Sequence, residues 1–310
     1  MSAAVTSSDP RRVLTTLSRE LGRPDRGWAV LAEGNTSVSI DGGRMLVKAS
    51  GASMAVAEPG DFVTVTLAEV LALVDADPGA DPGAVSGVVP GAVSADEAGA
   101  ARDDEDVRRL FEAASEQGGR RPSVEALLHA VCLDLPGVEA VGHTHPIPVN
   151  ALLCSPRASL LVDGSIFPDQ IVVLGTDPLL VPYIDPGLAL ARAVRSALRQ
   201  RVADGGRAPK AVYLQNHGMF ALGGSPAEVV QITEMAVKVA EVILGSLPAG
   251  GPVFLDAAQV GRIDTRPDEL LRRAALAGTA TSTATADPTP ATTAAPTATH
   301  RSTASRGDRP

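Results

Sequence analysis

The chain has 310 residues, 45% of them hydrophobic but only 3% aromatic, so it can bury a sizeable core that must be packed from aliphatic side chains. A formal net charge of -9, with no run of Arg or Lys along a face or tail, argues against nucleic acid as a partner. The first residues lack a signal-like pattern and no apolar run reaches membrane-spanning length, so the expectation is a soluble cytoplasmic protein with no membrane partner.

In chain order, residues 9–21 place Val13, Leu14, Leu17 and Leu21 at helical spacing after a polar start, which predicts an amphipathic helix. Segments 28–31, 36–40, 44–48 and 62–67 are short and separated by Gly, Asp or Pro, as strands are, and Asp41-Gly42-Gly43 predicts a hairpin. Residues 75–105 repeat Asp-Pro-Gly, Gly, Ala and Ser with little periodicity, which predicts a mobile insertion in a surface loop that orders in part near its ends. A helix is expected over 122–133, strands over 140–145 and 171–174, a helix over 188–201, a strand over 211–216 and a long helix over 227–247. This alternation of helices and strands predicts a layered α/β domain over residues 1–277. From about residue 278 the chain is nearly all Thr, Ala, Ser and Pro, offers no apolar face, and is expected to be a disordered tail. Cys132 and Cys154 lie in apolar runs without ligand-like spacing, and the expectation is two buried, reduced thiols.

Two of the five histidines form His143-Thr144-His145 at the end of an apolar run. On a strand, residues i and i+2 share a face, so both imidazoles can converge on one ion while Thr144 points away. Pro146 and Pro148 then stop the strand and leave the pair near a mouth. A third, His217, follows another apolar strand in Gln215-Asn216-His217-Gly218, where Asn and Gly tolerate a left-handed turn. Three neutral imidazoles and one open position make a catalytic rather than a structural zinc arrangement; the alternative is three unrelated surface or capping histidines. Glu125, in Pro122-Ser123-Val124-Glu125, is either an acidic first-turn residue favoured by the helix dipole or an acid/base. His129, four residues on, shares its helical face and suits a supporting or core role. His300 lies in the tail. The loops Glu33-Gly34-Asn35-Thr36-Ser37 and Lys48-Ala49-Ser50-Gly51-Ala52-Ser53 supply backbone N–H groups, hydroxyls and an ammonium suited to an anion, although small polar turns are often only turns.

Taken together in their order, Gly34-Asn35-Thr36-Ser37, Lys48-Ala49-Ser50-Gly51, Pro122-Ser123-Val124-Glu125 with His129, His143-Thr144-His145-Pro146 and Asn216-His217-Gly218 resemble the class II aldolase/adducin family. Phe167-Pro168-Asp169-Gln170 and Val181-Pro182-Tyr183 with Pro186-Gly187 are similar to the branch of rhamnose-utilisation (rhamnulose-1-phosphate) aldolase-like proteins. The resemblance spans residues 13–272 apart from the insertion. It implies a three-layer α/β/α domain with a central mixed sheet, assembled as a homotetramer with sites at subunit interfaces. It also implies Zn2+, or another divalent metal, on His143, His145 and His217, Glu125 as acid/base, and a substrate anion on Asn35, Lys48, Ser50, Gly51 and Ser123. The activity implied is metal-dependent aldol cleavage or formation in a sugar or sugar phosphate, through an enediolate held at the metal. That chemistry calls for a Glu125 pKa raised well above that of a solvated Glu. An epimerase or dehydratase on the same fold, or a non-catalytic adducin-like interaction module, are the alternatives. Val124 stands where many phosphosugar aldolases of the family carry a second Ser, which weighs against a phosphorylated substrate. Tyr183, Tyr213 and Asp169 are the residues considered as proton donor to the leaving oxygen.

Overall fold

The structure is a computed structural model and describes residues 9–41, 43–76, 95–272 and 275–276. The first helix, α1 (Pro10–Leu21), starts where the Asp9 carboxylate accepts the Arg11 N–H and Pro10 takes a first-turn position that needs no N–H donor. It buries Leu14, Leu17 and Leu21. Strands β1 (Asn35–Ile40) and β2 (Arg44–Lys48) form the expected hairpin, paired Ile40 to Arg44, with Asp41 at φ 40 in the turn. Then follow β3 (Phe62–Thr66), α2 (Leu67–Asp75), α3 (Ala95–Gly118), α4 (Ala126–Leu133), β4 (Ala140–Thr144), α5 (Ile147–Leu153), α6 (Pro168–Leu174), β5 (Leu179–Val181) and α7 (Leu188–Ala203). Strands β6 (Ala211–Leu214) and β7 (Gly218–Gly223) and helices α8 (Pro226–Ser246) and α9 (Ala257–Thr265) complete the strands and α-helices among the described residues.

Seven strands make one mixed sheet in the order β3-β2-β1-β4-β7-β6-β5, with β5 parallel to β6 and every other neighbour antiparallel. Both faces are covered. Val141, Val212, Leu214, Phe220 and Leu222 pack with α2, α3, α4 and α7 on one side, while Ala140, Tyr213, Met219 and Ala221 pack with α1, α5, α6 and α8 on the other. This is the α/β/α sandwich expected, and the double burial explains why its central strands read as apolar runs. Gly142 lets α1 and α8 approach the sheet closely: a Cβ there would lie 2.7 Å from the Leu21 and Val229 side chains.

Several expectations change. Residues 28–31 do not form a strand but a turning segment, because Gly27 (φ 60) and Leu31 (φ 58) are left-handed and the Arg26 guanidinium lies 4.3 Å over the Trp28 ring. Residues 171–174 belong to helix α6, which Pro168 opens and Gly175 (φ 74) ends; a four-residue apolar run carries no period that separates helix from strand. Of the insertion expected over 75–105, residues 77–94 lie outside the described residues, and 95–105, at the end expected to order in part, is the start of the 24-residue α3. That helix buries Val107 and Phe111 one turn apart, an anchor lying past the segment expected to be loop. The helix expected over 122–133 begins later, at Ala126, with Glu125 as its N-cap. Cys132 is buried, its thiol pushed up to about 12 by desolvation, whereas Cys154 at the end of α5 is exposed. The expected tail lies outside the described residues. No helix among the described residues is long and apolar enough to cross a membrane.

Candidate metal centre

The site gathers where β4, the β6–β7 turn and the start of α4 meet. His143 is the fourth residue of β4 and stacks on Phe220 across the ladder, ring centroids 4.2 Å apart. His145 lies one residue past the strand, where Pro146 caps α5 and ends the pairing. His217 sits in the β6–β7 turn after Asn216, whose φ of 56 is the left-handed conformation its side chain tolerates. Asn150 of α5 donates to the His217 carbonyl oxygen at 3.0 Å and holds that turn. Gly218 follows because nothing larger fits: a Cβ there would stand 2.3 Å from His145 Cδ2 and 2.7 Å from the Thr144 carbonyl oxygen.

The donor atoms of Glu125, His143, His145 and His217 all lie within 4.8 Å of one another. Glu125 Oε1 is 3.0 Å from His143 Nε2 and 3.3 Å from His217 Nε2. The tautomers follow from the outer partners. His143 Nδ1 donates to the Met219 carbonyl oxygen at 3.0 Å, and His145 Nδ1 donates to the Glu33 carboxylate at 3.1 Å. In neutral rings both Nε2 atoms are then bare lone pairs, and they face each other at 2.9 Å. Two acceptors at that distance repel unless a cation lies between them, so the donor set fits a divalent metal. Burial and the neighbouring His143 push the His145 ring below its ordinary pKa, against the pull of Glu33, which favours the neutral form a metal needs.

Burial would raise the Glu125 carboxyl, but His143 first and then His217 outweigh it and hold the group well below the ordinary carboxylate range. This lowering belongs to the metal-free state with a proton on the imidazole nitrogens that face the carboxylate, and the raised pKa expected from the sequence is not found there. His129 does not join the ligand cluster. It is fully buried, its Nδ1 2.7 Å from Ser37 Oγ, and desolvation with His143 pushes its pKa down to about 3.

A cleft of about 270 Å³ opens beside the cluster, lined by Ala32, Glu33, Gly34, Lys48, Ser50, Gly51, Ser123, Val124, Glu125 and His145. Four of the five residues expected to take an anion, Lys48, Ser50, Gly51 and Ser123, thus reach one cleft. The bridge between Ala49 and Pro122, with the Ser50 N–H donating to the Arg121 carbonyl oxygen at 2.9 Å, joins their two loops. Asn35 pairs with His143 across β1 and β4, is wholly buried, and keeps an Nδ2 donor without a partner. Lys48 is nearly buried and donates to the Ala52 carbonyl oxygen at 2.7 Å; desolvation lowers its pKa, with Glu125 and Asp61 opposing. None of the residues considered as proton donor lines the cleft. Tyr213 is buried without a hydroxyl partner, Tyr183 bonds Asp185, and Asp169 pairs with Arg272. Glu33 is the site residue whose role sequence reading missed; its signal was a carboxylate two places before Asn35, legible only with the β1–β4 register in hand.

Residues 12–244 match the class II Aldolase and Adducin N-terminal domain. The chain belongs to the class II aldolase/adducin family. Solved structures share this family fold at low identity. YgbL from Escherichia coli, for which aldolase, epimerase and decarboxylase are named as candidate activities, is 20% identical with TM-score 0.55, covering 82% of this chain and 97% of its own. L-fuculose-1-phosphate aldolase from Thermus thermophilus is 20% identical with TM-score 0.50, covering 79% of this chain and 98% of its own. A sugar-phosphate aldolase from Thermotoga maritima is 18% identical with TM-score 0.53, covering 79% and 97%. No curated protein matches the chain. Within the family fold this member has a candidate metal cluster of three His and one Glu, which supports an aldolase-type enzyme using a divalent metal.

Proposed function

We propose that this class II aldolase family member is a zinc enzyme that cleaves or forms a carbon–carbon bond in a ketose or ketose phosphate. His143, His145 and His217 hold the ion, and Glu125 is the acid/base. The observation that carries the reading is the convergence of three imidazoles and one carboxylate, two of the imidazoles with lone pairs face to face, beside a cleft lined by hydroxyls and one ammonium. When bound, the metal supplies a Lewis acid that polarises a carbonyl oxygen and stabilises negative charge developing on it.

The chain's own groups do the rest. Glu125, which lines the cleft beside the imidazoles, is placed to accept a proton from the carbon beside the substrate carbonyl in the condensation direction; it returns that proton to the same carbon after cleavage. Ser50, Ser123 and the Gly51 backbone hold the anionic end of the substrate, with Lys48 and Asn35 supplying donors from beneath. Val124 puts an apolar side chain among these donors, so the anion subsite is weaker in hydrogen bonding than one with two serines. A rhamnulose-phosphate specificity is the narrower form of this reading, supported by the likeness of segments 167–170 and 181–187 alone; neither lines the cleft. Assembly as a homotetramer with the site at an interface is part of the proposal. Its support is the exposed apolar rim of Val30, Leu31 and Ile147 flanking His145.

The test is a panel of ketoses and ketose phosphates incubated with zinc-loaded protein. Release of a three-carbon carbonyl fragment that stops with a chelator is expected. Conversion without carbon–carbon cleavage overturns the aldolase in favour of an epimerase or dehydratase.

A further inference from the structure

Of the three imidazoles in the cluster, His145 is the one whose Nδ1 has a carboxylate for its partner. His143 is clamped within β4 and donates to a backbone carbonyl, whereas His145 lies beyond the strand end, is partly exposed, and has a carboxylate for its outer partner. That carboxylate belongs to Glu33. Asn35 is the last β1 residue paired to β4, opposite His143, and continuing the register by two residues brings position 33 opposite 145. There Glu33 Oε2 takes the Nδ1–H of His145 at 3.1 Å. Its other oxygen accepts the Val30 N–H at 2.6 Å, so the carboxylate has little freedom to turn.

The loop that presents Glu33 is under strain. Leu31 is held at φ 58 with its side chain 89% exposed, so no burial of that side chain offsets the left-handed backbone. Gly34 is left-handed at φ 74, and a Cβ there would lie 2.9 Å from the His143 carbonyl oxygen. The same loop accepts the His145 backbone N–H on the Trp28 carbonyl oxygen at 2.8 Å. Backbone and ring of His145 are therefore both held by one segment.

We infer that Glu33 is a positioning residue of the metal centre: it fixes His145 as the Nδ1–H tautomer, aims its Nε2 lone pair at the ion and raises its basicity. The inference rests on the metal reading above. Its sharpest variant is Glu33→Gln. With the amide oxygen kept on the Val30 N–H, the amide nitrogen faces His145 Nδ1 and selects the ring with its proton on Nε2, the atom that must bind metal. With the amide reversed, two N–H groups collide at Val30. The first arrangement keeps the loop's length and packing and loses the metal-facing lone pair; the second keeps the tautomer but gives up the Val30 bond that holds the side chain in place.

Zinc affinity is measured by competition against a chromophoric chelator on the parent, Glu33→Gln, Glu33→Ala and His143→Ala, with thermal melts of the metal-free proteins. Long-range 1H–15N spectra of the imidazoles report the tautomer without metal. Expected are Glu33→Gln and Glu33→Ala about 10–100-fold weaker in zinc, a metal-free melting temperature for Glu33→Gln equal to the parent's, and a His145 tautomer change in Glu33→Gln. A Glu33→Gln variant that binds zinc as the parent does, while His143→Ala fails to bind, overturns the positioning role and leaves the metal reading intact. A parent that binds no zinc overturns both.

Discussion

The two ends of α4 carry polar clusters of opposite design. At its C-terminal end every charge meets its complement: Arg195 donates to both oxygens of Asp75, at 2.6 and 2.8 Å, and to Asp134 at 3.0 Å, while Arg199 adds a contact to Asp75 at 2.9 Å. At its N-terminal end Glu125 meets the imidazoles of His143 and His217, His143 and His145 turn lone pairs toward each other, and His217 Nδ1 is buried without a partner. The first cluster is finished by the chain alone and ties α2, α4 and α7 together. The second is complete only with something the chain does not supply. Saturated complementarity marks a polar cluster made for the fold, and converging like donors mark one made for a ligand.

That contrast breaks most visibly at the imidazoles. His143→Ala is expected to lose metal binding and turnover together, read by metal content and the product assay; full metal content in this variant would remove the centre proposed here. Glu125→Gln should lower turnover by about 10²–10⁴-fold with the fold unchanged by circular dichroism. Gly218→Ala comes next, since its Cβ would overlap His145 and a backbone oxygen. Overpacking of about 1–3 kcal/mol should appear as weaker zinc binding in titration and a lower melting temperature, and an unperturbed titration would contradict the geometry.

Changes at the other end should touch stability and leave the metal alone. Asp75→Ala leaves Arg195, which is 7% exposed, with Asp134 as its remaining carboxylate. Breaking a buried pair costs about 3–5 kcal/mol, but the Asp75 side chain is 35% exposed, so about 1–3 kcal/mol is expected after screening. Denaturant melts check the value, and zinc affinity should match the parent. The pH dependence has a definite sign. Arg195 and Arg199 hold the Asp75 carboxyl below its ordinary range against desolvation. Its contribution is therefore present above the unfolded value of about 4 and is lost as pH falls through the lower folded one. Asp75→Asn should lack that part of the acid loss. The smallest effect is expected from Val124→Ser, which adds a hydroxyl to the cleft and should shift preference by a few-fold toward phosphorylated substrates, about 1 kcal/mol, in competition assays.

How much of this is legible depends on whether the signal is local. The first helix, the hairpin at Asp41, the strand carrying His143 and the long last helix of the core each follow from a period or turn chemistry contained within the segment. Trp28 and residues 171–174 mislead because an aromatic or apolar run says that a segment is buried, not how its backbone runs. The segment from Ala95 reads as loop because its buried anchors, Val107 and Phe111, lie beyond it. Glu125 and the imidazoles are legible as candidates, but the direction of the Glu125 pKa is not, since it depends on which charges surround the carboxylate.

The sequence by itself determined the layered class of the fold, the family, and the residue types that can hold a dication, because propensity, periodicity and motif order are properties of neighbours along the chain. Only the tertiary structure decided that Glu33 faces His145, that Gly218 must be glycine, and that the N-terminal end of α4 is left unsatisfied while the C-terminal end is closed. Those facts are set by strand register and layer packing, which bring together positions more than a hundred residues apart, as Glu33 and His145 are, through contacts that no local pattern encodes.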